Sequence, residues 1–222
     1  PELIDGFFNR QDKMKVKEFA LMDIRMDRLK IVGGLIERMC QHYDNPPKVI
    51  MTDDLKTAVE GADYVVTQFR VGLLPARAKD ERIGLRHGYI GQETTGPGGF
   101  AKALRTIPVM LQVARKVEAL APDAFILNFT NPAGIVTEAV SRYSSAKIIG
   151  LCNVPINMQH MIAGMLDAKE EEVRLSFAGL NHMVWVHKVM QGREEVTSKV
   201  IDMLCDELKA RHVVRLQQGV CT

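Results

Sequence analysis

The sequence has almost no net charge, no long apolar run and no paired cysteines, and each absence excludes a class of protein. Its net charge is +2 at pH 7, so it lacks the basic surface of a nucleic-acid-binding protein. No apolar run approaches the ~20 residues that a membrane helix needs, and we see no signal peptide. The cysteines stand apart, which argues against a disulfide framework and for a reducing compartment: Cys40, Cys152, Cys205 and Cys221.

What is present is the composition of an ordinary globular protein. Hydrophobic residues make up 46% of the 222 residues and charged residues 25%, which is enough apolar surface to offset the entropy of ordering the chain. At roughly 150 residues per domain, this length corresponds to one large domain or to one and a half ordinary ones. The sequence contains no internal repeats.

Over the first 151 residues, short apolar runs alternate with segments whose apolar residues have helical spacing. The runs predict strands near residues 18–23, 49–51, 62–68, 124–130 and 147–151. Helices are predicted at 29–39, 52–60, 106–120 and 132–143, with Pro108 in a first turn, where proline is tolerated. A polar, glycine-rich stretch covers residues 70–99. Strands alternating with helices predict an α/β fold with a doubly wound, Rossmann-like parallel sheet.

The pattern changes after Cys152. A helix is predicted at 155–166, followed by two alternating runs at 173–177 and 183–189 that favour antiparallel strands. We therefore place a domain boundary near residues 151–155. The second domain, 153–222, is of α+β type and too short for a full core. Because the chain starts on helix-like sequence with no strand before it, both ends look cut.

Two acidic or amide side chains follow predicted strands, where ligands bind in such sheets. Asp23 could accept hydrogen bonds from ribose hydroxyls or could be a helix N-cap. Asn131 precedes Pro132, which favours extended backbone, and could aim its amide at a ligand or form an Asx-type turn.

The stretch between residues 70 and 99 carries two further candidates. Residues 91–99 hold four glycines, which let a backbone approach a ligand closely or make a loop flexible. Arg77, in the charged run 77–82, could grip a phosphate or lie on a solvated face.

Cys152 and His182 are the third candidate pair, and the pattern by itself favours a structural role for both. They lie 30 residues apart and supply two ligands, which is no metal signature in the usual sense. On pattern alone, a buried structural cysteine and a core histidine are favoured.

Eight segments of the sequence resemble glycoside hydrolase family 4, and they stand in that family's order. The chain is similar to the 6-phospho-β-glucosidase branch from Pro1 to about Ile201, whereas residues 205–222 show no clear match. The segments are PELIDG (1–6), TQFRVG (67–72), ARAKDER (76–82), GQETTGPGG (91–99), LRTIP (104–108), NFTNPAG (128–134), GLCNVP (150–155) and FAGLNHM (177–183).

The resemblance implies hydrolysis of 6-phospho-β-glucosides, such as phosphorylated cellobiose or aryl β-glucosides, to glucose 6-phosphate. This family is an NAD-dependent exception among glycosidases. NAD oxidises C3 of the sugar, a base removes the C2 proton, the aglycone is eliminated, and water and hydride are then added back. Mn²⁺ or another divalent metal binds the C2 and C3 oxygens as a Lewis acid. Residues 1–152 would be the NAD-binding domain.

Carried over by position, the resemblance implies a role for six residues. The metal would be held by Cys152 and His182. Arg77 would contact the substrate near its phosphate, and Asn131 would bind sugar hydroxyls. Glu93 would raise the basicity of the catalytic base, and Asp23 would bind the adenosine ribose of NAD.

Asn153 indicates whether the glycosidic bond of the substrate is α- or β-linked. Members of the family that cleave α-linkages resemble this chain but carry an aspartate here as general acid. An amide has no proton to give at neutral pH, so we expect substrates to be β-linked.

Two parts of the family pattern are missing from these residues. They are the glycine-rich nucleotide loop before Pro1 and the tyrosine base, which is expected about 40 residues after His182. None of the tyrosines occupies a matching place: Tyr43, Tyr64, Tyr89 and Tyr143. We therefore expect residues 1–222 alone to be inactive or nearly so, and the intact parent to be the enzyme.

Other functional classes remain open at this point. A lactate- or malate-type dehydrogenase would share the sheet, the acid after the second strand and the Asn-Pro turn, but chelation would spare it. A truncated or decayed product would explain residues 205–222.

The resemblance also implies a homodimer or tetramer. Phosphorylated sugars are trapped inside cells, which implies a cytoplasmic enzyme without nucleic-acid or membrane partners.

Overall fold

The computed structural model describes the backbone of residues 1–217 and the side chains of residues 1–209, so Cys221 lies outside the described residues. The helices are α1 (Glu2–Phe8), α2 (Met26–Cys40), α3 (Leu55–Val59), α4 (Leu73–Arg86), α5 (Gly96–Leu120), α6 (Ala133–Tyr143), α7 (Asn153–Met165) and α8 (Thr197–Gln217). The strands are β1 (Glu18–Met22), β2 (Lys48–Thr52), β3 (Tyr64–Thr67), β4 (Phe125–Asn128), β5 (Lys147–Gly150), β6 (Val173–Leu180), β7 (Met183–Gln191) and β8 (Glu194–Glu195).

The residues divide into two compact units by their contacts. The first unit is Pro1–Phe69, Arg105–Asn128 and Val136–Ile149, and the second is Arg70–Leu104, Phe129–Ile135 and Gly150–Thr222. Each unit combines three separate stretches of sequence, so this division does not test the boundary near residues 151–155. That boundary stays a prediction.

Parallel strands form the sheets of the first unit. β1 pairs with β2 in parallel, and β3 pairs with β4 in parallel, with β5 on the other side of β4. Helices connect the strands, as parallel pairing requires. The α/β class with parallel sheets is therefore confirmed, and the strands are hydrogen-bonded as a pair and as a set of three.

The core of the first unit lies between this three-stranded sheet and two helices. Met110 and Val117 from α5 and Val136 and Val140 from α6 are fully buried around Ile126 of β4. The opposite face of this sheet is less covered, because Tyr64, Val66 and Phe125 are exposed.

Helix α4 lies in the polar stretch over residues 70–99, where the sequence pattern predicted no helix before Thr106. Its Leu, Ala, Arg, Lys and Glu residues are good helix formers. The charged residues among them reflect an exposed helix face. Arg77 and Glu81 pair one turn apart, and Asp80 and Gly84 are the buried positions of the helix.

The predicted start of the next helix at Thr106 is also wrong. Helix α5 begins at Gly96, which puts Pro108 inside the helix rather than in its first turn. Gly98 and Gly99 explain the early start, because their backbone packs directly on other backbone. A Cβ on Gly98 would lie 2.1 Å from the carbonyl oxygen of Gln92, so tertiary contact overrides the low helix propensity of glycine.

The second unit contains the predicted antiparallel strands. β6 pairs with β7 from Val173↔Gln191 to Leu180↔Met183, with a bulge between Ser176 and Phe177, and β8 continues the sheet. Helices α7 and α8 pack on it through Ile162, Val189 and Val200. Within the described residues, no helix has the length and apolar composition to cross a bilayer.

Candidate active site

Cys152 lies where β5 passes into α7. The strand ends at Gly150, and Cys152 is the N-cap residue of α7 with extended backbone, at φ −146° and ψ 140°. Its side chain makes no capping hydrogen bond, and the thiol is free and half-buried. The end of strand β5 therefore presents this thiol without using it to support the helix.

His182 lies at the tip of the β6–β7 hairpin. The two-residue loop of Asn181 and His182 joins the pair Leu180↔Met183. His182 has φ 62°, the left-handed region that short hairpin loops require and that non-glycine residues rarely occupy. Gly179 lies in β6 opposite Val184 at φ 120°, where a Cβ would lie 2.3 Å from the Met183 carbonyl oxygen. Strained backbone of this kind clusters at ligand sites.

The structure brings Cys152 and His182 together. The Cys152 Sγ lies 3.8 Å from the His182 Nε2. Two ligands of one metal ion must be closer than the sum of their bond lengths, about 4.4 Å for a thiolate and an imidazole, so this separation fits a shared ion. A soft thiolate beside an imidazole suits a divalent transition metal.

The surroundings of the pair are open and mostly apolar. A cavity of about 190 Å³ adjoins both side chains and is lined also by Pro155, Phe177 and Leu180. His182 is exposed, so the favoured pattern-based interpretation as a core histidine is wrong. Among the side chains described, no third His, Cys, Asp or Glu completes a protein cluster of three. Any further ligands to an ion here would have to be substrate or water oxygens.

The segment that carries Asn131 reaches the same hairpin. The Gly134 N–H donates to the Asn181 Oδ1 at 3.4 Å, next to His182. Asn131 itself accepts from the Ala133 N–H at 3.2 Å, which is the Asx-type turn, and leaves its side-chain NH₂ for other partners. Asn153 is exposed at the first position of α7 and is not among the cavity-lining residues.

A second cluster forms around the Glu93 carboxylate. Its Oε1 accepts from the Arg70 Nη1 and the Lys102 Nζ, and its Oε2 lies 3.3 Å from the Arg77 Nη1. Arg77 also donates from Nε to the Glu81 Oε1 at 2.7 Å. Three cations thus surround one carboxylate. Within the described residues, Glu93 makes no hydrogen bond or ion pair with Cys152 or His182.

Burial and charge act on this cluster in opposite directions. Burial raises the pKa of Glu93, but the hydrogen bonds and charges of Lys102 and Arg70 outweigh it and hold that pKa below its ordinary value. Burial lowers the pKa of Lys102 against the opposing effect of Glu93. Glu93 is therefore an ionised acceptor at neutral pH.

We expect acid to weaken the fold through Glu93. A carboxylate with a lowered pKa stabilises the folded state above its unfolded pKa, about 4.5, and loses that contribution as the pH falls through the folded pKa. E93Q should therefore be less stable than the wild type at pH 6, and the gap should narrow below pH ~4.5. Urea unfolding at several pH values measures this. E171Q, at an exposed glutamate, is the control, and a constant gap for E93Q would contradict the assignment.

Asp23 lies in the first unit, at the carboxyl end of β1. Its Oδ1 accepts from the Arg25 N–H at 2.9 Å, and its Oδ2 is 3.9 Å from the Arg28 Nε. The N-cap of α2 is Arg25, so the alternative that Asp23 caps this helix is wrong. The carboxylate shapes the turn before α2 and keeps acceptor capacity for a ligand.

Sequence reasoning missed Arg70, Lys102 and Asn181. Lys102 lies on the buried side of α5 with Ala103 and Thr106, and an earlier helix start would have put it there. Asn181 could have been found from its place beside His182 in a two-residue loop. No sequence signal joins Arg70 to Glu93.

Comparison with known proteins gives one family. The model of family 4 glycosyl hydrolases matches residues 1–168. A probable 6-phospho-beta-glucosidase of Bacillus subtilis is 50% identical over 213 residues, 95% of this chain and 48% of that protein. A phospho-alpha-glucosidase of Clostridium acetobutylicum is 34% identical over 193 residues, 86% and 43% of the two chains. The chain spans about half the length of the curated relatives it matches.

Solved structures agree. The 6-phospho-beta glucosidase of Thermotoga maritima, determined with manganese, NAD⁺ and glucose-6-phosphate, is 42% identical, with a TM-score of 0.85 over 92% of this chain and 49% of that one. A lactate dehydrogenase of Eimeria maxima matches at a TM-score of 0.62 over 90% of this chain and 56% of that one, with 15% identity. That second likeness shows the fold alone, so the dehydrogenase alternative has only distant support. On the match over residues 1–168, the chain belongs to glycoside hydrolase family 4.

Proposed function

We propose that this chain forms the NAD- and metal-binding part of an enzyme that hydrolyses 6-phospho-β-glucosides to glucose 6-phosphate. The observation that carries the proposal is the 3.8 Å separation of the Cys152 Sγ and the His182 Nε2 in a family 4 chain. Relatives at 42–50% identity are named 6-phospho-beta-glucosidases, which supports this substrate class.

Cys152 and His182 would hold a divalent ion, with Mn²⁺ the first candidate because the Thermotoga maritima structure contains manganese. When bound, the ion supplies a Lewis acid that polarises sugar oxygens. The two protein ligands leave the remaining positions to substrate and water. The two-residue hairpin loop and the junction of β5 with α7 hold each ligand between regular elements, so both are held ready for the ion.

Arg77 and Asn131 would bind the substrate. Arg77 offers charge-assisted donors that suit the phosphate, and Asn131 keeps its side-chain NH₂ for sugar hydroxyls. Glu93, an ionised acceptor, would support the catalytic base. Asn153 and the higher identity to β-named than to α-named relatives support β-linked substrates.

Asp23 would bind the adenosine ribose of NAD. It follows a parallel strand, and among the residues that the structure describes its Oδ2 has one weak contact, the Arg28 Nε at 3.9 Å. A carboxylate so placed can accept hydrogen bonds from ribose hydroxyls. Asp23 fits the ribose of this cofactor, which supplies hydride transfer when bound.

The protein would be cytoplasmic and homo-oligomeric. Cys40, Cys152 and Cys205 are free thiols, as in a reducing compartment. Leu74, Ile90 and Trp185 of the second unit are exposed apolar side chains, available for contact with a further protein surface.

We expect the chain to bind glucose 6-phosphate when Mn²⁺ and NAD are present. Calorimetric titration measures the affinity, and glucose, which lacks the phosphate, should bind at least ~10-fold more weakly, because hydrogen bonds to a charged group contribute roughly 1.5–3 kcal/mol each. Adding a chelator should weaken the binding of glucose 6-phosphate. Equal affinity for glucose and glucose 6-phosphate, or no effect of chelation, would contradict the proposal.

A further inference from the structure

Lys102 is the buried member of the cluster around Glu93. Its side chain is 4% exposed, against 17% for Glu93 and larger fractions for Arg70 and Arg77. Placing an ammonium group in such a site is unfavourable unless it is paired and hydrogen-bonded. Buried ion pairs add little net stability, and their attested benefit is to fix one arrangement of side chains. Lys102 therefore calls for a positional role.

The two oxygens of Glu93 have different partners. Lys102 and Arg70 both donate to Oε1, whereas Oε2 faces the Arg77 Nη1 at 3.3 Å. With Oε1 held by two cations, the carboxylate cannot rotate without breaking both contacts. The buried Lys102 thereby fixes the direction of Oε2, and with it the electrostatic attraction between Oε2 and Arg77.

Arg77 is held along one edge. Its Nε donates to Glu81 at 2.7 Å and its Nη1 lies against Glu93, while within the described residues its Nη2 makes no hydrogen bond or ion pair. Two carboxylates fix the plane of the guanidinium and leave the outer N–H groups available. A guanidinium fixed in this way is ready to meet a phosphate without further ordering.

We propose that Lys102 is a positioning residue: by anchoring Oε1 of Glu93, it makes Oε2 hold Arg77 with its Nη2 edge turned to an anionic ligand. This rests on the proposed contact between Arg77 and the phosphate of the substrate. Lys102 acts through Glu93 and does not touch the ligand.

The experiment follows the Arg77 guanidinium by ¹⁵N NMR on the full 222-residue chain, with its signals assigned from R77K. Separate Nη1 and Nη2 signals report restrained rotation, and we expect them in the wild type. In K102M they should merge, and in K102R, which keeps the charge, they should stay separate. K116M, at an exposed lysine of the same helix, is the matched control and should behave as the wild type.

The second readout is the affinity for glucose 6-phosphate with Mn²⁺ and NAD present. K102M should bind it about 10-fold more weakly, the lower end of what one charged hydrogen bond contributes, and K102R should recover most of that loss. Separate Arg77 signals in K102M, or merged signals with unchanged affinity, overturn the proposal.

Two further outcomes are decisive. If K102M fails to melt cooperatively, E93Q takes its place, and separate Arg77 signals in E93Q overturn the proposal because Glu93 would not be holding Arg77. If the wild-type chain shows restrained Arg77 signals that K102M loses, yet binds no glucose 6-phosphate, the positioning of Arg77 by Lys102 stands and the proposed substrate is wrong.

Discussion

Replacing His182 by alanine should lower the affinity of the chain for a divalent transition metal at least about 100-fold. Even partners outside the ligand shell change metal affinity 10–100-fold, and the described residues hold no third His, Cys, Asp or Glu to compensate. Titration with Co²⁺ is the measurement, because a thiolate bound to cobalt gives a charge-transfer absorption. The wild type should show this band, and H182A should show it only at much higher Co²⁺ concentration.

Two variants complete the test. C152S should lose the thiolate band altogether, because the sulfur is its source. H187A removes an exposed histidine from β7, the strand that follows the hairpin tip, and should bind Co²⁺ as the wild type does. Equal binding by H182A and the wild type would show that the 3.8 Å pair is not a metal site.

Replacing Ile126 by alanine should lower the free energy of unfolding by about 2–5 kcal/mol, as for other buried isoleucines. Ile126 is 0% exposed and lies in β4 against α5 and α6. The substitution removes apolar contacts and leaves a cavity that the helices cannot close fully. Since stabilities are commonly 5–15 kcal/mol, the loss is a large fraction of the total. Urea unfolding followed by circular dichroism measures it.

The control is Ile149 of β5, in the same three-stranded sheet. It is 47% exposed, so I149A removes less buried surface and should cost less than half as much as I126A. Similar losses for the two variants would mean that Ile126 is not at the centre of the core.

The fold was largely predictable because its signal is local. Apolar runs such as residues 62–68 and 147–151 give strands, and the helical spacing between runs gives the connections that parallel pairing needs. Helix α4 was missed because its signal is helix propensity without a continuous apolar stripe. The start of α5 was missed because close backbone contact at Gly98 overrides a glycine-rich sequence.

The site was predictable only in part. Cys152 follows a strand and His182 lies in a hairpin, and both placements come from pattern. That the two side chains meet depends on the packing of α7 against β6, which spacing does not reveal. The contacts of Glu93 depend on Arg70 and Lys102, each brought in by a different part of the chain.

The hairpin has a consequence for how the protein tolerates change. Gly179 stands against the Met183 carbonyl, so any side chain there would force the hairpin tip apart. The loop has two residues, and one inserted residue would change its register and turn the side chains beyond it to the opposite face. A change at Gly179 or in the loop length would therefore displace the imidazole that they support, although neither has chemistry of its own.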